Sequence, residues 1–336
     1  MATSLQTLTS NFAAPTDWRA PLIQEVRRGL ARRPLSLAPW LLYDGAGSRL
    51  FDRITTLPEY YPTRTERAIL TRNVNSILAA VLPRASQPLR IIELGAGSAD
   101  KTGILLDAAL RAKAGVHYRP LDVSAEALHA ARRSIERLYP GVRVEPSVVN
   151  YVTNPPRLQP FPGNTLVLYL GSSIANFPPE EARAILRNAS SQMRPRDAFL
   201  LGVDLVKDES TLVAAYDDRA GVTAAFNLNV LHRLNRELGA DFDVDGFRHR
   251  AEWNAGKSRI EMHLESTRDQ QASIPAAAMQ LHIVKGETIH TESSYKFTDG
   301  SVKSLLQDAG LALSRLWKDE AGRYAVALAY PETIRS

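Results

Sequence analysis

Cysteine is absent from all 336 residues, which excludes disulfides, thiolate metal ligands and a cysteine nucleophile. Long apolar runs are missing as well: no stretch approaches the roughly 20 consecutive apolar residues of a membrane-spanning helix. The first 18 residues carry neither the basic start nor the apolar run of a secretory signal, so a cytoplasmic protein is expected. The chain has no internal repeat and no low-complexity tract. Its seven histidines, among them His117, His232 and His263, are dispersed without ligand spacing, and no metal site is expected.

What is present is an ordinary globular composition. With 44% apolar residues the chain can bury a large core, as one large domain or two intimately associated ones. The formal charge of +5 is spread along the sequence. Its densest cluster, Arg27, Arg28, Arg32 and Arg33, faces away from Leu22, Ile23, Val26 and Leu30 in a helical pattern, the usual design of a solvated helix face rather than a nucleic-acid patch. The expected partner is therefore a small molecule, with no nucleic acid and no membrane, and the expected state is a monomer.

Residues 18–85 read as helices joined by short loops, punctuated by Pro34, Pro39, Pro58 and Pro62. From Leu89 onward the pattern changes to short apolar runs alternating with helical segments. Strands are predicted at 90–94, 116–122, 142–147, 165–170 and 198–204, with helices at 101–112, 125–138 and 179–193. That rhythm predicts an open, doubly wound α/β sheet with ligands beyond the carboxyl ends of its strands. After Asp204 an insertion is predicted, with a helix at 210–238 and β-like runs at 247–253, 258–264, 278–284 and 289–297. A helix at 302–309 and strands at 311–317 and 324–329 return to the sheet as an antiparallel edge hairpin.

The first strand ends in Glu93-Leu94-Gly95-Ala96-Gly97-Ser98. Glycine lets the backbone turn tightly and approach a ligand at the following helix N-terminus. A dinucleotide fingerprint would place a third glycine where Asp100 stands, so the loop favours a single nucleoside over a pyrophosphate. Asp122 ends the second strand, 27 positions after Gly95, where its carboxylate can accept both ribose hydroxyls or else cap a helix. Asn150 and Tyr151 follow the third strand at the level of a base, as an edge-reading amide and a flanking ring, or as a turn. Lys101 has the charge to meet a ligand carboxylate, or simply occupies a solvated first turn.

Several long segments together resemble the histidine Nα-methyltransferase family of ergothioneine biosynthesis. They are Tyr43-Asp44 with Gly47-Ser48, the block from Leu57 to Glu66 (LPEYYPTRTE), the Glu93–Ser98 loop, and Asp204-Leu205-Val206-Lys207-Asp208. Further matches are Ala215-Tyr216-Asp217-Asp218, Asn235-Arg236-Glu237-Leu238 and Thr291-Glu292-Ser293-Ser294. The resemblance covers nearly the whole chain. It implies a Rossmann-like class I methyltransferase fold using S-adenosylmethionine (SAM) and releasing S-adenosylhomocysteine, with a second, α+β substrate-binding domain. The implied division is 64–206 plus 296–336 for the SAM domain and 1–63 plus 207–295 for the substrate domain.

Carried over by motif, Asn176, Tyr60 and Tyr216 are implied to hold the substrate amino acid's α-amino or α-carboxylate group, and Glu292, with Ser294 beside it, to bind imidazole. Met262 is an implied ring contact, with Tyr43 and Phe51 as neighbours. Gly95, Gly97, Lys101, Asp122, Asn150 and Tyr151 are the implied cofactor contacts. The sequence departs from the family at Asn150-Tyr151, where an Asp-Phe pair is common, and in the Ser172-Ser173-Ile174-Ala175 loop. The implied reaction is three successive methyl transfers to histidine, giving hercynine. The residues leave open a methyltransferase for tryptophan or another amino acid, a nicotinamide-dependent oxidoreductase, and a non-catalytic or RNA-associated SAM-binding protein.

Overall fold

Strands that are apolar at consecutive positions are stable only when covered on both faces, and the middle of this chain is built that way. A computed structural model describes residues 19–82, 88–97, 99–150 and 157–332. Tyr151 and Ser98 lie outside the described residues. The chain begins with α1 (Arg19–Leu30), β1 (Leu35–Ser36), α2 (Gly45–Ile54) and α3 (Pro62–Val81). It then alternates through β2 (Leu89–Leu94), α4 (Thr102–Arg111), β3 (Val116–Asp122), α5 (Ala125–Leu138), β4 (Val142–Val144), β5 (Ser147–Val148), β6 (Asn164–Tyr169), α6 (Pro179–Ser190) and β7 (Ala198–Asp204). The insertion comprises α7 (Glu209–Ala214), α8 (Val222–Leu238), β8 (Phe247–Asn254), β9 (Arg259–Ser266), β10 (Gln270–Ile274), β11 (Met279–Ile283) and β12 (Thr288–Tyr295). The chain closes with α9 (Asp299–Asp308), β13 (Leu311–Lys318) and β14 (Tyr324–Pro331).

The large sheet runs β13-β14-β7-β6-β2-β3-β4, with β5 beside the end of β3. Its parallel strands β3, β2, β6 and β7 are followed by β14, antiparallel to β7, and the edge hairpin to β13. Every residue of β6 and β7 is buried, as a strand covered on both faces requires. Two apolar clusters fill the two faces, one with α3 and α4, the other with α6 and α9. This is the doubly wound α/β fold read from the sequence, reversed at β2/β6, where the carboxyl ends of the strands open a crevice.

A second sheet, β1-β12-β9-β8, and the hairpin β10–β11 belong to the insertion. A third apolar cluster joins the N-terminal helices to it, from Leu22 and Leu41 to Phe226, Val230, Ile260 and Ile289. The arginine-rich α1 is seated here: Leu22, Val26 and Leu30 are buried, Arg27 Nε donates to the Ala277 carbonyl at 2.8 Å, and Arg33 donates to that of His282 at 2.6 Å. Among the described residues no helix is long and apolar enough to cross a membrane.

Three expectations need correction. The helix read over 210–238 is broken: α7 stops at Ala214, and α8 starts only after Gly221, at φ +70°. Asp218 accepts the first amides of α8, from Val222 at 3.0 Å and Thr223 at 2.7 Å, so the break is a capped helix start placed within a continuous polar–apolar pattern. The run at 142–147 divides into β4 and β5, which meet different parts of β3. Strands β1 and β10 had no counterpart in the sequence reading.

Candidate active site

The nucleotide end lies where β2 meets α4. Gly95 and Gly97 take φ +66° and +50°, left-handed values that cost glycine nothing. A Cβ built on Gly97 meets nothing within 4 Å, because the residue borders an open cleft of about 890 Å³. Gly95, Asp122 and Asn150 line the same cleft. The Asp122 carboxylate accepts the Gly97 amide at 3.0 Å and the Ser124 amide at 2.9 Å, thereby clamping the glycine turn to the end of β3. Burial raises its pKa against these lowering hydrogen bonds. Ser124, not Asp122, is the N-cap of α5, its hydroxyl accepting the Ala127 amide at 3.2 Å. Beneath the turn Glu93 is buried, accepting from Thr102 Oγ1 at 2.7 Å and from the Tyr118 hydroxyl; burial pushes its carboxyl up to about 7.

Lys101 lines neither this cleft nor the chamber beside it; its ammonium is held by Glu66, which is wholly buried. Glu66 also accepts the Gly171 amide at 2.9 Å and the Tyr324 hydroxyl at 2.8 Å. It thus anchors the loop after β6 to α3. Gly171 at φ +77° and Ser172 at φ +58° then make two consecutive left-handed steps into a short 3₁₀ turn, Ser173–Asn176. A non-glycine residue in that region is strained, and here the Ser172 hydroxyl is tied down by accepting the Asp204 amide at 3.0 Å. The result is Asn176 at the wall between two spaces.

The inner space is a smaller chamber that shares Tyr43, Phe51, Ser173 and Asn176 with the cleft. All eight residues implied for the substrate line it: Tyr43, Phe51, Tyr60, Asn176, Tyr216, Met262, Glu292 and Ser294. Tyr43 and Phe51 stand edge to face at 5.5 Å between centroids, and Tyr60 and Tyr216 at 6.2 Å. Burial drives the phenols of Tyr43, Tyr60 and Tyr216 well above their ordinary pKa, so they are neutral hydroxyls.

Strand β12 delivers the far end of this chamber by an irregularity. Ile289 pairs with Leu264 and His290 with His263, but Glu292 pairs with Met262, leaving Thr291 as an extra residue. The bulge turns Glu292 and Ser294 inward beside Met262 and Ile260. Glu292 is 6% exposed, and its Oε2 has no hydrogen-bond partner. Burial pushes its carboxyl up to about 7, with the Lys296 ammonium opposing. An orphaned buried acceptor costs folding free energy and is the signature of a site awaiting a donor.

Thr223 and Phe226, from the first turns of α8, also line the chamber, and the Thr223 hydroxyl is likewise unpartnered. Neither position carried a signal in the sequence. Below the chamber Lys296 completes a row with Glu292 and Ser294 at two-residue spacing, which strand periodicity could have flagged. On the opposite face of the second sheet Glu252, Glu261 and His263 converge, but Arg250 and Arg259 already pair with those two carboxylates.

The sequence profile described as histidine-specific methyltransferase, SAM-dependent, matches residues 22–331. The chain belongs to that family. This methyltransferase is 42% identical over 320 residues to the histidine N-alpha-methyltransferase of Mycolicibacterium smegmatis, covering 95% of this chain and 98% of the relative. It is 42% identical over 311 residues to the histidine N-alpha-methyltransferase of Mycobacterium tuberculosis, covering 92% and 94%. It is also 31% identical over 291 residues to ergothioneine biosynthesis protein 1 of Neurospora crassa, covering 84% of this chain and 32% of that longer protein.

The methyltransferase family uses SAM, and the cleft has the features to hold it. The open space at the Gly97 Cβ position leaves room for a ligand against the turn, Asp122 offers a carboxylate on the cleft wall, and the exposed Val123 adds an apolar surface beside it.

Proposed function

We propose that this methyltransferase transfers three methyl groups in succession from SAM to the α-amino nitrogen of free L-histidine, giving hercynine for ergothioneine biosynthesis. The observation that carries this reading is the orphaned Glu292 Oε2 at the closed end of a chamber whose other end opens to the cofactor cleft at Asn176. A buried carboxylate there selects a side chain that can donate an N–H, since any other ring leaves it unpaired. The names of the two mycobacterial relatives support the same substrate.

In this reading, residues 64–206 with 296–336 hold SAM through Gly95, Gly97, Asp122 and Asn150, and residues 1–63 with 207–295 supply most of the substrate chamber. Lys101 and Tyr151 belong to the proposed cofactor set on the strength of the family resemblance. Bound SAM supplies a methyl group activated by its sulfonium. The chain supplies alignment: the Asn176 amide and the Tyr60 and Tyr216 hydroxyls orient the amino-acid end, while Glu292, Ser294 and Met262 fix the ring. None of the three polar groups at the amino-acid end is an anion, so none locks the amine as an ammonium ion. The aromatic walls of Tyr43, Phe51 and Phe226 accommodate a nitrogen that gains methyl groups, since aromatic faces attract quaternary ammonium. Within the same proposal the enzyme works as a cytoplasmic monomer without nucleic acid.

Mass spectrometry of purified enzyme with SAM and an equimolar panel of free amino acids tests it. Trimethylation of histidine alone is the expected result. A monomethyl product with SAM in excess defeats the claim of three transfers, and modification of tryptophan instead defeats the assignment of Glu292.

A further inference from the structure

Lys296 is wholly buried beneath the chamber, outside its lining, and all three of its donors are engaged. Its ammonium donates to the Tyr216 hydroxyl at 2.9 Å and to Ser294 Oγ at 2.8 Å, and pairs with Asp204 Oδ2 at 3.0 Å. Tyr216 and Ser294 also bond each other at 2.7 Å. Both hydroxyl oxygens therefore accept from below, and one of the two must donate to the other. A single O–H proton remains, and it can point only toward the chamber.

The charge count beneath the floor is uneven. Asp204 also accepts from Lys207 Nζ at 2.7 Å and from the Tyr61 hydroxyl at 2.8 Å, so one carboxylate faces two buried ammonium groups. Two positive charges against one negative leave an excess of one positive charge under the amino-acid end. The titratable groups around Lys296 are Asp204 from β7, Lys207 after it, Tyr60 and Tyr61 at the start of α3, Tyr216 after α7, and Glu292 on β12, while Asp319, which faces Lys207, and Arg323, which lies over the Tyr61 ring, pair with each other and cancel. Of these only Glu292, at the opposite end, can offset the excess.

We infer that Lys296 is a positioning residue whose fixed charge, through the Tyr216–Ser294 pair, makes Tyr216 present a hydroxyl donor to the substrate carboxylate and holds the neighbouring substrate amine in its neutral, reactive form. The inference rests on the proposed histidine methylation and adds to it the group that sets the amine's protonation. An ammonium above this floor meets an unmatched buried cation, whereas a carboxylate is attracted to it. The proton that the amine must lose before methylation is thus repelled by a group that touches neither substrate nor cofactor.

The test is the pH dependence of the single-turnover methylation rate of histidine in wild type, Lys296→Met and Lys296→Gln. In both variants the ascending limb is expected to move to higher pH by about one unit or more, so that activity falls about tenfold at neutral pH and recovers as the pH is raised. Gln restores donors to Tyr216 and Ser294 without charge, so a Gln variant with a wild-type profile overturns the role of the charge. A uniform loss at every pH, with the limb unmoved, also overturns it. Calorimetric SAM binding within about twofold of wild type confirms that the variants are folded. If neither folds, the wild type still decides. Histamine, which lacks the carboxylate, is expected to react at least 100-fold more slowly than histidine by kcat/KM, and equal turnover sinks the proposal. Failure of the wild type to methylate histidine refutes the proposed function instead, and is read separately.

Discussion

Both carboxylate oxygens of Glu66 lie 2.9 Å from the amide nitrogen of Gly171, so a residue on the second turn of α3 holds the loop that carries Asn176. The carboxylate fills space that only a glycine at 202 leaves open: a Cβ there would stand 1.8 Å from Glu66 Oε1. The link runs from a packed helix, through one buried charge, to the wall between the cleft and the chamber.

Glu66→Ala should therefore damage both stability and activity. It leaves the Lys101 ammonium, the Gly171 amide and the Tyr324 hydroxyl without their acceptor, a loss of about 3–5 kcal/mol for a broken buried ion pair. Urea unfolding should show that loss, and the methylation rate should fall more than SAM affinity. Unchanged unfolding would mean that water replaces the carboxylate.

Removing the proposed ring acceptor tests recognition. Glu292→Ala should lower kcat/KM for histidine about 100-fold, equivalent to about 2–3 kcal/mol of lost hydrogen bonding, with SAM affinity unchanged by calorimetry. The loss for an aromatic amino acid without a ring N–H at that place should be much smaller. Equal losses for both would remove Glu292 from the specificity argument.

The raised pKa of Glu292 carries a stability signature in the free enzyme. Burial lifts the carboxyl to about 7 in the folded chain, against about 4.3 unfolded. Between those values the folded state binds the extra proton, so its stability falls as pH rises from about 4.3 to 7, by about 3–4 kcal/mol in all. The difference in unfolding free energy between wild type and Glu292→Gln, followed across that interval, should show this slope. A flat difference would mean that the carboxyl titrates normally.

At the cofactor end, Asp122→Ala should weaken SAM binding about 10–100-fold by calorimetry, since it removes both the proposed ribose acceptor and the clamp on the Gly97 amide. Asp122→Asn keeps an acceptor for the amide and should lose less. An equal effect of the two would show that the clamp on the Gly97 amide contributes little to SAM binding.

Asp218 tests whether the helix break matters to the site. Asp218→Ala removes the side chain that accepts the Val222 and Thr223 amides, worth about 1–2 kcal/mol of cap stability. Tyr216 lies in the segment that this cap terminates, so turnover should drop along with thermal stability. Loss of stability with full turnover would show that Tyr216 is held by Ser294 and Lys296 alone.

The large sheet was legible because β2, β3, β6 and β7 are buried, and apolar runs between helical patterns have few other uses. The glycine turn and Asp122 were legible because backbone geometry restricts which residues can stand there. The break before α8 was not, since Asp218 and Gly221 sit in a sequence whose polar–apolar alternation continues across them. Strand β1 is only two residues long and takes its place from β12, so nothing local marks it. Glu66 was quoted within the Leu57–Glu66 block without a role, because its three partners are 35, 105 and 258 positions away. Glu292 came from resemblance: simple alternation from Ile289 places it on the outer face, and only the register shift at Thr291 puts it inside.

That register shift makes the chamber's chemistry a matter of parity. Thr291 is the odd residue in the count: if it paired with Met262 in plain alternation instead of bulging, the strand beyond it would present Ser293 and Tyr295 inward and send Glu292 and Ser294 to the opposite face. No side chain would have been replaced, yet the enzyme would exchange one set of substrate contacts for another. A slip of register at this point is therefore a larger change to the pocket than any single substitution within it, whereas deletion of Thr291 restores plain alternation with Glu292 and Ser294 still facing inward.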